Sequence, residues 1–232
     1  MRVSVREAAG LLNVSEKTIY RWIAQGKLPA YRVNEQFRLN RAELLEWATS
    51  QRVNVSATIM EEPDEGTATP SLEAALRCGG VFYRVEGKDK QSVLNSVVEV
   101  MPLPEEVDRP FLLQVLMARE SVGSTGVGEG IAIPHVRNPI VLHISKPMVA
   151  LCFLEQPVDF GALDGKPVHT LFAIVSPTIR AHLGLLSRLA YSIRDPDFAA
   201  TISRQGSREE ILQQVRRIDN LVAQSTPQAG EK

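Results

Sequence analysis

The sequence predicts two domains, a small and mainly α-helical head followed by an α/β body. Three observations lead there. Charge is segregated: residues 1 to 52 hold nine Lys/Arg against five Asp/Glu, residues 53 to 74 hold five acids and no bases, and residues 75 to 232 hold seventeen of each sign. A basic head, an acidic spacer and a neutral body imply separate domains with different partners. Between Arg52 and Ser71, "VNVSATIMEEPDEGTATP" has no sustained period and collects Thr, Glu, Pro and Gly, which reads as a linker. Beyond it, short apolar runs suited to strands interleave with segments of helical period. The expected boundaries are 1–52 for the head, 53–79 for the linker, 80–219 for the body and 220–232 for a frayed polar tail.

An apolar content of 44% is ample for a buried core and excludes disorder as the default. No apolar run reaches the roughly eighteen residues needed to span a bilayer, and the start "MRVSVREAAG" lacks the apolar stretch of a signal peptide. A soluble, cytoplasmic protein without a membrane partner is expected. Cys78 and Cys152 stand alone, without the paired spacing of a zinc or redox motif, so both read as plain thiols. Neither a metal nor a cofactor is expected.

In the head, Ser4 and Glu7 in "SVRE" form a capping box that opens a short helix through "AAGLL". Asn13 and Val14 make a tight break. Ser15 then caps "EKTIYRWIAQ", which Gly26 terminates. Two short helices joined by a brief turn are the helix-turn-helix plan. Ile19 and Ile23 form the apolar face of the second helix, leaving Lys17, Thr18 and Arg21 to face outward. In "KLPAYRVNEQFRLN", Tyr31, Val33, Phe37 and Leu39 alternate around a polar tip at Asn34, Glu35 and Gln36, as in a small hairpin. Asn40 and Glu43 cap a third helix carrying Leu44, Leu45 and Trp47. Periodicity alone also fits a three-helix domain whose basic residues are merely solvated.

The wording of residues 3 to 48, above all "VS..TIYRWI..GKLPA", resembles the excisionase-type winged helix-turn-helix family, related to the MerR-type headpiece. The resemblance implies a recognition helix from Ser15 to Gln25 in the major groove of double-stranded DNA and a hairpin wing on the neighbouring backbone. Ser15, Lys17, Thr18 and Arg21 would face DNA from the helix, with Tyr20 at its margin and Arg32 and Arg38 flanking the wing. Arginine can read a guanine edge with two hydrogen bonds, whereas lysine and serine mainly position phosphates. No dimerisation helix is visible, and the oligomeric state is open.

In the body, "DKQSVLNSVVEVM" places Val93, Leu94, Val97, Val98 and Met101 on one helical face, and "RPFLLQVLMARE" does so with Phe111, Leu112, Val115 and Leu116. "VALCFLE" and "VHTLFAIVS" read as strands buried on both faces. "RAHLGLLSRLAYSIR" returns to helical spacing through Leu183, Leu186, Leu189, Ala190 and Ile193.

The stretch "GSTGVGEGIAIPH" sets four glycines ahead of a single histidine, His135. A nucleotide loop would need a strand before the glycines and a helix after them, and here the order is reversed. A lone histidine after Pro134 reads as a residue satisfied by backbone bonds in a bend. Two features weaken that reading: clustered glycines let backbone N–H groups approach an anion, and Arg119 and His182 offer further positively disposed groups.

"ARESVGSTGVGEGIAIPH" resembles the active-site signature of the enzyme IIA domains of the phosphoenolpyruvate-dependent phosphotransferase system, in the fructose/mannitol class and its nitrogen-regulatory branch, over residues 90 to 218. The resemblance implies a mixed β-sheet flanked by helices, and a phosphoryl group accepted by His135 from a histidine-containing phosphocarrier protein. It implies that Arg119 neutralises that group and that His182 is the second site histidine. Ser124 and Thr125 add hydroxyl contacts or build the turn. The family usually has a small residue after the histidine, whereas this chain has Val136, which could narrow access. His143 and His169 match no signature position.

The expectation is a regulator that joins DNA binding to a phosphorylatable enzyme IIA-like body, with regulatory proteins as further targets. Two rivals stand beside it: a phosphocarrier that relays phosphate to a separate enzyme IIB partner, and an interaction module that is never phosphorylated.

Overall fold

A computed structural model describes residues 2–33, 36–51, 53, 70–136 and 144–225. The chain divides into two units, Met1–Gly66 with Val222–Lys232 and Thr67–Leu221. In the first, the Ser4 and Glu7 capping box opens α1 (Val5–Leu11): Ser4 Oγ accepts from the Glu7 N–H at 3.2 Å and the Glu7 carboxylate accepts from the Ser4 N–H at 2.6 Å. That backbone bond holds the Glu7 carboxyl below its ordinary range. Asn13, at φ +51°, lets Val14 N–H reach back to Ala9 O at 3.0 Å, which stops α1. Ser15 caps α2 (Glu16–Ala24), and Gly26, at φ +66°, ends it with Lys27 N–H bonded to Trp22 O at 2.9 Å.

A strand with no signal in the sequence pattern, β1 (Arg2–Ser4), pairs antiparallel with β3 (Gln36–Asn40), which also pairs with β2 (Tyr31–Val33). Three residues are too short to show alternation; what places β1 is Val3 opposite Leu39, both buried. Residue Val33 pairs with Gln36, so Tyr31 lies opposite Arg38 and Arg32 opposite Phe37. The alternating apolar residues of the hairpin therefore divide between its faces: Phe37 and Leu39 turn to the core, and Tyr31 to the other side. Its hydroxyl donates to the Glu43 carboxylate at 2.9 Å. Asn34 and Glu35, at the expected tip, lie outside the described residues. α3 (Arg41–Ser50) closes the unit, with Leu44 and Ala48 joining Val3, Ala8, Leu12 and Ile19 in the core.

The second unit is a five-stranded mixed sheet with helices on both faces. Its strands are β4 (Val81–Val85), β5 (Gly126–Gly128), β6 (Ile131–Ala132), β7 (Met148–Val158) and β8 (Val168–Val175), in the order β4-β7-β8-β6-β5. β4 runs parallel to β7 and β6 parallel to β8, whereas β7–β8 and β5–β6 are antiparallel. On one face Ala150, Cys152, Ala173 and Val175 meet α5 (Lys90–Val100) and α6 (Arg109–Val122). All five residues of the expected α5 stripe are buried. On α6, Leu112 and Leu116 are buried but Phe111 is 39% exposed; Leu113 and Met117 pack in its stead. Burial closes off Cys152, whose thiol is pushed up to about 12.

The opposite face corrects the linker expectation. Residues Leu72–Gly79 form α4, with Leu72, Ala75 and Leu76 buried against β7. A Cβ on Gly79 would sit 2.3 Å from the Val149 carbonyl oxygen, so this close approach needs glycine. The start of α4 is tied by Asp219, whose carboxylate accepts from the Glu73 N–H at 3.0 Å and pairs with Arg188 at 2.9 Å. α7 (Ile179–Ser192), α8 (Pro196–Ser203) and α9 (Arg208–Ser225) complete this part of the chain. α9 continues six residues past the expected end of the body at 219, so residues 220–225 are helical where a frayed tail is expected. Among the described residues, no helix is long and apolar enough to cross a membrane.

Candidate functional site

Strand direction brings three distant residues together. β6 and β8 are parallel, so the chain leaves both at the same end of the sheet. His135 follows β6 and bridges to Ile174 of β8, with Ile174 N–H donating to Pro134 O at 2.9 Å. β8 leads into α7, capped by Thr178, and His182 sits in its first turn. The two imidazoles face each other with centroids 5.1 Å apart and an interplanar angle of 39°. Arg119, in the last turn of α6, donates its Nε–H to His135 Nε2 at 3.2 Å and its Nη1–H to the Gly123 carbonyl at 2.8 Å. His135 Nδ1 lies 2.8 Å from the Ile133 carbonyl oxygen. A carbonyl only accepts, so Nδ1 carries the proton and Nε2 keeps its lone pair.

The glycines have a different task from the one their spacing suggested. Gly128 (φ +86°), Glu129 (φ +51°) and Gly130 (φ +71°) form the turn between β5 and β6. Their neighbourhood is filled from within: Glu129 N–H donates to Asp164 at 2.8 Å, and a Cβ on Gly130 would meet the His169 ring at 2.3 Å. Gly128 and Gly130 shape a hairpin. His169 covers that turn, with Nδ1 2.8 Å from Thr170 Oγ1.

Ser124 and Thr125 are likewise corrected as phosphoryl contacts. The Ser124 hydroxyl donates to Phe160 O at 2.7 Å and accepts from the Gly126 N–H at 3.0 Å. Thr125 is buried, and its hydroxyl and N–H both donate to the Glu120 carboxylate, at 2.6 and 3.0 Å. Glu120 pairs in turn with Lys90 at 3.2 Å. Sequence reasoning missed Lys90 and Glu120, because only folding brings α5 against the end of α6.

In the first unit, Ser15, Lys17, Tyr20 and Arg21 are exposed and Thr18 is half-buried. Ser15 Oγ is committed to the α2 cap, accepting from the Thr18 N–H at 3.2 Å. Lys17, Tyr20 and Arg21 share one helical face at spacings of three and four. Tyr20 meets Phe37 edge-on at 6.2 Å, and the Arg32 guanidinium lies 5.9 Å over the same ring. Arg32 therefore joins the α2 face through Phe37. Arg38 does not: the register puts it on the other side of the sheet with Tyr31, its Nη2 donating to Gln36 at 3.1 Å.

Residues 75–218 match the family model described as the phosphoenolpyruvate-dependent sugar phosphotransferase system, EIIA 2. The chain belongs to this family. Residues 3–52 match a helix-turn-helix domain model, so the two units correspond to two separately recognisable domains. Among curated relatives, a "Nitrogen regulatory protein" of Pseudomonas aeruginosa is 36% identical over 153 residues, which are 64% of this chain and 97% of that protein. A "PTS system fructose-specific EIIABC component" of Bacillus subtilis is 31% identical over 142 residues, 60% of this chain but only 22% of that longer protein. Of solved structures, the nitrogen regulatory protein IIA-Ntr of Neisseria meningitidis shares 28% identity with a TM-score of 0.52, covering 58% of this chain and 92% of that one.

Against this EIIA family, Val136 is the departure expected to narrow access to His135. Its side chain instead joins the core cluster beneath the sheet with Ala132, Ile144 and Leu171, and is 2% exposed. It anchors the strand end that presents the histidine. His143 lies outside the described residues.

Proposed function

We propose that this EIIA-family protein is a regulator: its helix-turn-helix domain binds double-stranded DNA, and its body accepts a phosphoryl group on His135 Nε2 from a histidine-containing phosphocarrier protein. The observation that carries the reading is the hydrogen-bond pattern of His135, with Nδ1–H committed to Ile133 O and Nε2 turned to Arg119. Nε2 is thereby the nucleophile. As its bond to phosphorus forms, the carrier's nitrogen–phosphorus bond breaks and the carrier imidazole leaves with the electron pair. The Nδ1 proton stays in place, where the Ile133 carbonyl steadies the positive charge gathering on the ring. Arg119 releases the Nε2 lone pair and turns its donors to the phosphoryl oxygens, a role suited to the guanidinium fork. His182, its ring tilted against the acceptor, fixes that ring for in-line approach.

On the head, Lys17, Tyr20, Arg21 and Arg32 supply the DNA-facing surface, with Ser15 and Thr18 at the start of the helix. The test is incubation of the intact protein with phosphoenolpyruvate, enzyme I and the phosphocarrier. Wild type becomes labelled with an acid-labile, alkali-stable phosphate; His135→Ala does not, and Arg119→Ala is labelled about 10²-fold more slowly, the usual loss for one preorganised electrostatic donor. Labelling that persists in His135→Ala overturns the assignment.

A further inference from the structure

Glu120 is placed where a carboxylate is doubly unfavourable. It is 6% exposed, and it lies in the last turn of α6, where the helix dipole disfavours an anion. Two donors and one positive charge offset this: the Thr125 N–H at 3.0 Å, the Thr125 hydroxyl at 2.6 Å, and the ammonium of Lys90, at the first position of α5, in an ion pair at 3.2 Å. Lys90 also stands 5.7 Å over the Phe160 ring, and the Phe160 carbonyl accepts from the Ser124 hydroxyl at 2.7 Å. The short segment from Gly123 to Thr125 is thus held from both sides. Its Gly123 carbonyl accepts from Arg119 Nη1 at 2.8 Å, while the Nε of the same guanidinium faces His135 Nε2 at 3.2 Å.

We propose that Lys90, Glu120 and Thr125 are positioning residues that hold the Gly123 carbonyl, and through it Arg119, in register with Nε2 of His135. The proposal rests on the reading of His135 as phosphoryl acceptor. A long arginine side chain has several rotatable bonds, and aligning it in advance removes an entropy cost from the transfer step. The relay explains why a buried charge is kept beside the arginine. A neutral residue would fill the space without fixing the loop that the guanidinium leans on.

The test uses the intact chain with Thr125→Val, which keeps shape but loses the hydroxyl donor, and Thr125→Ser, which keeps both donors. Two quantities are measured in wild-type and Arg119→Ala backgrounds: the rate of phosphoryl transfer from the carrier, and the nitrogen NMR resonance of His135 Nε2, which needs no phosphate. Thr125→Val lowers the rate about ten- to a hundredfold, the scale of a small misplacement at a reacting centre, and moves the Nε2 resonance toward its position in Arg119→Ala. Thr125→Ser returns both to wild type. In the Arg119→Ala background Thr125→Val changes neither further, because its effect runs through the arginine. An unmoved resonance with an unchanged rate overturns the proposal, and so does an equal loss of rate in both backgrounds, which marks a structural role only. Should Thr125→Val not fold, Lys90→Gln carries the same comparison with the same expected direction. If the wild-type chain takes up no phosphate while the resonance responds as described, the acceptor reading fails and the positioning of Arg119 stands.

Discussion

His135 shows what one residue's surroundings add to its identity. In the sequence it is a histidine after a proline; in the fold its two nitrogens are made unequal by the Ile133 carbonyl on one side and Arg119 on the other. Val136, its neighbour, was expected to bear on access and instead supplies anchorage. Truncating it tests that directly: Val136→Ala lowers stability by roughly 1–3 kcal/mol, as for other buried large-to-small changes. The rate of phosphorylation of the folded fraction stays near wild type. Chemical denaturation with parallel labelling checks both, and a faster rate without loss of stability would restore the access argument. Residue types at the site were legible because histidine and arginine carry recognisable chemistry. The direction of a hydroxyl was not: Ser124 and Thr125 look suited to phosphate in the sequence, yet donate to Phe160 and Glu120.

Among the elements, the β5–β6 hairpin and the wing make contrasting cases. Gly130→Ala places a side chain both at φ +71° and 2.3 Å from the His169 ring. Left-handed backbone strain costs on the order of 1–3 kcal/mol before the clash is counted, so a loss of at least that size in the unfolding free energy from urea denaturation is expected. A neutral result would show the turn able to rearrange. On the wing, Arg32→Ala weakens DNA binding more than Arg38→Ala, since only Arg32 shares the surface that includes Tyr20. Titration of the intact protein against duplex DNA checks this, and equal losses would mean that both sides of the sheet meet the duplex. The stripe on α5 could be read in the sequence because one helix face carries it whole. α4 could not. Its segment abuts an acidic stretch and spans two turns, and what holds it is a glycine approach to β7 and a cap from Asp219, contacts that close only across the whole domain.

For the whole molecule, segregated charge and separate family matches agree on two domains, and the boundaries are where composition misleads, because polarity says little about whether a helix finds a surface to pack on. For the proposed DNA binding, the net charge of +4 on residues 1–52 predicts contacts chiefly to phosphates. With about four such contacts, the logarithm of affinity of the intact chain falls against the logarithm of salt with a slope of roughly −3.6. One atom, Nε2 of His135, takes the phosphoryl group in the proposed reaction. Phosphorylating the intact protein with the carrier system and locating the phosphate by phosphorus NMR with peptide mapping tests it most directly. The account predicts a single phosphohistidine, on Nε2 of His135, with Nδ1 still protonated against Ile133; phosphate on Nδ1, on His182 or on no histidine at all would contradict it.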